Sequence, residues 1–262
     1  TPVPAAPLPA AGDQRPQAYA HPSTRHLAAL PAPATVAADA PARAPARTRA
    51  AKGQTQRSTD VIHREAAYSL LQRVFAALSG GAIQQGRSFL KEKLGAKVGS
   101  SLLTIVDNPL RTRGLASRAF DGEGVATRVR PVFTEGALET FFIDTYYANK
   151  LGCEATTGGT SNLEIPLGDK DLTGLCADVG SGVYVTSWNG GNADLTNGDF
   201  SFGLSGHVIE NGAIGGPISE MNITGNYLEL LDNLVAVGND PFESAPLRTP
   251  TLVFEAANLS GA

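Results

Sequence analysis

The composition breaks sharply near residue 57, and no single packed fold suits both sides of the break. Residues 1–60 hold 10 of the 17 Pro and 18 Ala but only 2 of the 29 Gly. Irregularly spaced Pro interrupts any helix that Ala favours, and so little apolar surface cannot offset the chain entropy lost on folding. We read 1–57 as a disordered Ala/Pro-rich tract or linker and 58–262 as one domain. Residues 1–60 are formally +4 and the remainder formally −8. An acidic globular part argues against a nucleic-acid groove, whose affinity comes from Lys and Arg. Arg residues in the tract are dispersed without interleaved aromatics, so a basic nucleic-acid arm is the lesser reading. No window approaches the roughly 18 apolar residues of a membrane span, and no basic stretch followed by an apolar run opens the chain. The expectation is a cytoplasmic protein with neither a nucleic-acid nor a membrane partner. Cys153 and Cys176 lack CxxC spacing and read as buried or half-buried free thiols.

Apolar residues at Ala67, Leu70, Leu71, Val74, Phe75 and Leu78 recur with helical spacing and predict an amphipathic helix ending at Gly80-Gly81. A shorter helix is expected over Phe89 to Leu94, then a strand over Leu102 to Val106 before the Asp107-Asn108-Pro109 turn. Two hairpins follow, 129–143 around Glu135-Gly136 and 206–218 around Glu210-Asn211-Gly212, whose Gly suits a tight turn. They resemble each other and predict one antiparallel sheet or barrel. Short helices are expected at Tyr146 to Leu151, Leu172 to Asp178 and Tyr227 to Val235, the last capped by Asn226 and ended by Gly238. The fold class is α+β, a mainly antiparallel, barrel-like domain with hairpins and a few helices.

Residue types alone supply no complete catalytic set. A zinc helix needs two His about a turn apart and a Glu beside the first. Here His63 and Glu65 lie two apart and point away from each other. His207 sits on a strand and reads as a cross-strand partner more readily than as a ligand or base. Gly203-Leu204-Ser205-Gly206 lacks the nucleophile-elbow pattern, and Gly158-Gly159, Gly180-Ser181-Gly182 and Gly190-Gly191 lack the end of a phosphate loop. Turns between strands are their plain reading.

Eight segments in order carry a resemblance. They are Phe120-Asp-Gly-Glu-Gly-Val125, 130–138, Tyr146-Tyr-Ala-Asn-Lys-Leu-Gly152, Thr157-Gly-Gly-Thr-Ser-Asn162, 206–214, Pro217-Ile-Ser-Glu220, Ile223-Thr-Gly-Asn226 and Val237-Gly-Asn-Asp240. Together they resemble the C-terminal domain of the TldD/PmbA family over about 58–262. In that family two branches form a heterodimeric zinc peptidase, and the active branch carries His-Glu-x-x-x-His on the first helix plus a Cys near the C-terminus. The aligned positions here are Arg64, Glu65 and Ser69, with Thr249 near the place of the Cys. The resemblance thus implies the metal-free PmbA (TldE) branch, with no cofactor in this chain. It implies zinc in a TldD-like partner subunit and an unfolded or precursor peptide as substrate. Family members also have an N-terminal α/β domain that residues 1–57 cannot supply, so a fragment, a variant or a mis-started frame is expected. A stand-alone peptide-binding or scaffold protein is the alternative function. Gly clusters weaken sheets unless another backbone must come close. Gly158, Gly159, Gly190, Gly191, Gly206 and His207 are therefore candidate borders of a peptide channel, with tight turns as the competing reading.

Overall fold

A computed structural model describes residues 22–36 and 50–261. Strand structure begins at β1 (Ala51–Lys52) and β2 (Gln56–Ile62), ahead of residue 58. Composition gave no sign of β1, which exists because Ala51 and Lys52 pair in parallel with Ile218 and Ser219. Within the Ala/Pro tract the described residues touch the domain, where the Arg25 guanidinium donates to the carbonyls of Gly114, at 3.3 Å, and Ser117. The rest of the expected disorder, 1–21 and 37–49, lies outside the described residues.

The amphipathic helix forms as α1 (Arg64–Ala77) and buries Ala66, Ala67, Leu70, Leu71, Val74, Phe75 and Ala77. His63 caps it, its Nδ1 accepting from the Glu65 N–H, and Glu65 complements the positive end of the helix. Gly80-Gly81 does not end helical structure. The Ser79 hydroxyl accepts from the Ala82 N–H and opens α2 (Gly80–Gln84). These glycines serve packing, since a Cβ on Gly80 would lie 2.9 Å from Tyr147 Cβ. The helix expected over 89–94 is instead a pair of turns, because Phe89 N–H is drawn to the Leu195 carbonyl and the Ser88 hydroxyl takes Leu90 N–H. The helices α3 (Thr145–Leu151) and α4 (Leu172–Val179) match expectation. The last helix, α5 (Tyr227–Asp232), is capped by Asn226 as read but stops short of Val235. That residue belongs to β10 (Leu234–Val237), which β12 (Leu252–Ser260) holds in the sheet.

The two hairpins lie in different sheets. The first, β4 (Arg130–Thr134) and β5 (Ala137–Leu138), ends a small sheet ordered β11 (Leu247–Arg248), β6 (Leu163–Glu164), β3 (Ile105–Asp107), β4, β5. The second, β8 (Asp199–Glu210) and β9 (Ala213–Asn226), belongs to the large sheet with β7 (Gly182–Ala193). There the order β9-β8-β7-β2-β12 closes on itself through a β12–β9 pairing, a five-strand ring with β1 and β10 appended. Closure removes most free edges. Only β2–β7 within the ring is parallel, so the α+β, barrel-like and mainly antiparallel class holds.

The pleat sorts the ring strands into two faces. Ile62, Val183, Val185, Phe202, Leu204 and Phe254 join the main core with α1, while Val61, Tyr184 and Val253 turn to the other side and pack on Leu175 and Cys176 of α4. Each such side chain fully removed from water contributes about 1.5–3 kcal/mol. No helix among the described residues is long and apolar enough to cross a membrane.

Candidate functional site

The aligned motif positions converge at the start of α1. Thr249 is wholly buried and its hydroxyl donates to the Arg64 carbonyl at 2.9 Å, which ties the segment after β11 to the helix. Ser69 donates to the Glu65 carbonyl at 3.2 Å. The chemistry of this set does not fit zinc. Arg64 is a cation, both hydroxyls are spent on backbone carbonyls, and the described residues contain no cluster of three His, Cys, Asp or Glu. No step through a metal is derived from these residues.

Two grooves of about 350 Å³ flank α1. One lies against β7 and is lined by Glu65, Ser69 and Arg73 from the helix, Thr186, Ser187, Trp188, Gly190 and Gly191 from the strand, and Phe202 from β8. Its wall is an incomplete sheet. β2 pairs with β7 only from Val183 to Val185, then leaves at His63, whose N–H donates to the Val185 carbonyl. β8 occupies the other edge of β7 through Ala193. Among the described residues, the edge beyond Val185 on the β2 side has no strand partner. The same stretch carries two bulges against β8, at Thr186 and at Asn189-Gly190. Bulges of this kind re-aim side chains and cluster beside functional sites. Trp188 Nε1 donates to the Ala66 carbonyl at 2.9 Å and fixes the groove's width at the start of α1.

The second groove lies between α1, through Tyr68 and Gln72, and the segment Gly158 to Ser161. Here the wall is rigid. Asp107 accepts from Arg130 Nε at 3.2 Å and, through its other oxygen, from the Ser161 N–H at 2.7 Å. Arg130 also donates to the Thr156 carbonyl and the Thr157 hydroxyl and stacks over the Phe142 ring. Burial pushes the Arg130 guanidinium below its ordinary value against the opposing pull of Asp107. Asn162 donates to the Asn108 carbonyl and Arg118 to the Gly159 carbonyl, both at 2.8 Å. The 130–138 and 157–162 segments of the resemblance therefore meet as one polar network.

The six channel candidates separate. Gly190 and Gly191 line the β7 groove, Gly158 and Gly159 the other, and Gly206 and His207 neither. A Cβ on Gly206 would lie 2.0 Å from the Tyr184 carbonyl oxygen, so the ring requires glycine there. His207 Nδ1 is 3.1 Å from the Gly215 carbonyl, a contact within its own hairpin. At Gly159 the nearest atom to an added Cβ is the end of Arg118 at 3.8 Å, so packing does not demand glycine.

Three residues escaped sequence reasoning. Arg73 and Trp188 reach the groove through helix pitch and strand pairing, which no motif signals. Asp60 is fully buried on β2 beside Val183 and Phe254. One of its oxygens accepts from the Ser58 hydroxyl at 2.6 Å, and the other, Oδ2, has no partner. Burial pushes its carboxyl from the ordinary 3.8 up to about 7, with Ser58 pulling weakly the other way.

A family model described as the PmbA/TldA metallopeptidase C-terminal domain matches residues 55–261. The metalloprotease PmbA of Escherichia coli O157:H7 is 34% identical over 224 residues, 85% of this chain and 50% of that protein. A solved Bacteroides thetaiotaomicron protein, described as a candidate modulator of DNA gyrase, superposes with a TM-score of 0.94 at 41% identity, over 98% of this chain and 58% of its own. TldE of Thermococcus kodakarensis shares the fold, at 23% identity and a TM-score of 0.77, over 87% of this chain and 55% of its own. The chain spans about half the length of the curated relatives it matches. With the match running from the residue before β2 to the residue after β12, the chain belongs to the PmbA/TldD metallopeptidase family and carries its C-terminal domain.

Proposed function

We propose that this domain is the metal-free, TldE-like half of a two-subunit peptidase, in which a TldD-like cytoplasmic partner supplies the zinc and this chain helps hold an unfolded peptide. The observation that carries the reading is the stretch of β7 beside α1 with which no described strand pairs on the β2 side, at the end of the helix where Arg64 and Thr249 meet. An open strand edge binds peptide through main-chain hydrogen bonds and tolerates varied side chains. The donor types at Arg64, Ser69 and Thr249 support assigning the metal to the partner. Glu65 by itself lacks the ion-bound water that a general base in this chemistry would deprotonate.

The test is co-expression with a zinc-bearing TldD-like homologue. The expected result is a stable complex that cleaves unfolded peptide, with zinc in the partner and none held stoichiometrically by this chain purified alone. A chain that binds peptide but forms no complex would favour a stand-alone peptide-binding or scaffold protein. About one zinc per chain, lost on Glu65→Ala or His63→Ala, would overturn the metal-free assignment.

A further inference from the structure

Arg73 lies two turns beyond Glu65 on one face of α1, about 12 Å along the helix axis. Its side chain is exposed, and its guanidinium sits over the Phe202 ring, 4.9 Å from the centroid. Among the described residues no ion pair uses it. The helix and β7 run side by side in the same sense. Trp188 bonds to Ala66 near the start of α1, whereas Arg73 covers Phe202, the cross-strand partner of Gly191. The groove therefore has a guanidinium at its Gly191 end.

We infer that this groove takes the C-terminal end of an extended peptide running parallel to β7, and that Arg73 binds its terminal carboxylate. The inference rests on the peptide reading above and adds direction and end-group to it. A peptide entering the lane that β2 leaves at Ile62, and running as β2 does, carries its C-terminus toward Arg73. The reversed peptide would carry its carboxylate away from Arg73. At about 3.3 Å per residue the span holds roughly four residues. The guanidinium over Phe202 offers the planar fork that a carboxylate engages with two parallel hydrogen bonds.

The experiment measures fluorescence anisotropy of the full chain with three labelled ten-residue peptides of Ala, Ser and Val. One ends in a free acid, one in an amide, and one in an amide with Glu as its last residue. The free acid is expected to bind about tenfold tighter than the plain amide. Arg73→Gln is expected to erase that difference, and Arg73→Lys to restore part of it. Equal binding of acid and plain amide by the unmutated protein overturns the inference and leaves the peptide reading standing. Binding of neither overturns both. A Glu-ended amide that binds as tightly as the acid assigns the contact to an acidic side chain and overturns the terminal assignment. The acid-to-amide ratio on the unmutated protein decides the matter even if a variant folds poorly.

Discussion

The two walls of α1 differ in how completely they are finished. On the 157–162 side both carboxylate oxygens of Asp107 and the N–H and hydroxyl of Ser161 have partners, and the Arg130 guanidinium meets Asp107, Thr156 and Thr157 at once, with only the Arg118 Nε left over. On the ring side β2 abandons β7 after three paired residues, β7 bulges twice, and Asp60 keeps one carboxylate oxygen unpaired in the core. A finished network supplies rigidity, and an unfinished strand edge supplies main-chain groups for something else to use. The comparison separates a wall that holds the domain together from a wall that is available to a ligand.

Breaking the finished wall should cost most. Arg130→Met strands the buried Asp107 carboxylate and is expected to lower stability by about 3–5 kcal/mol in urea unfolding. A loss below about 1 kcal/mol would show that the network is not the brace described here. Next comes Gly206→Val, where the new side chain meets the Tyr184 backbone at 2.0 Å. Its expected cost is about 3 kcal/mol, read as a lowered urea midpoint. If that variant instead keeps its stability and slows peptide handling, Gly206 belongs to the channel after all.

Asp60 sharpens the comparison through pH. Its folded-state value of about 7 lies above the ordinary 3.8, so folding favours the protonated form. The stabilisation is complete below the unfolded value and is lost as pH rises through the folded one, at a slope of at most about 1.4 kcal/mol per pH unit. Asp60→Asn should remove this slope between about pH 4 and pH 7 and be more stable than the parent at pH 8, which urea titrations across pH would reveal. Identical slopes in the two proteins would place the pH response elsewhere. The smallest effect is expected for Gly159→Val, within about 0.5 kcal/mol, because the nearest atom to the added Cβ is the flexible end of Arg118 at 3.8 Å.

What was legible in the sequence follows from where the physics is local. The helix α1 could be read because one apolar stripe at helical spacing buries it, and α5 because Asn226 caps it, while in the structure α3 and α4 open on Asp144 and Asp171 caps that the sequence reading did not use. The strand β7 was hidden. Gly182, Gly190 and Gly191 look like turns, and its second half, exposed from Asn189 to Asn192, shows no apolar alternation. It is a strand because β2 and β8 pair with it, and pairing is not a local property. The two similar hairpins could each be read, but not their assignment to separate sheets, which depends on β6 and β11 arriving from distant sequence. Of the candidate site, Glu65 stood out by residue type and helix spacing, whereas Thr249 was reachable only through the family resemblance. Asp60 ends a run, Gln56 to Asp60, with no apolar residue, and nothing there announces a buried carboxylate.

Hydrogen–deuterium exchange on the full chain, with and without saturating unfolded peptide, tests most directly whether the unfinished wall is the ligand wall. The expected result is slowed exchange in Trp188 to Ala193, where no described strand pairs with β7 on the β2 side, with Thr157 to Asn162 unchanged. Protection confined to 157–162, or absent from β7 while peptide is demonstrably bound, would contradict the assignment of the peptide to the edge that β2 leaves open.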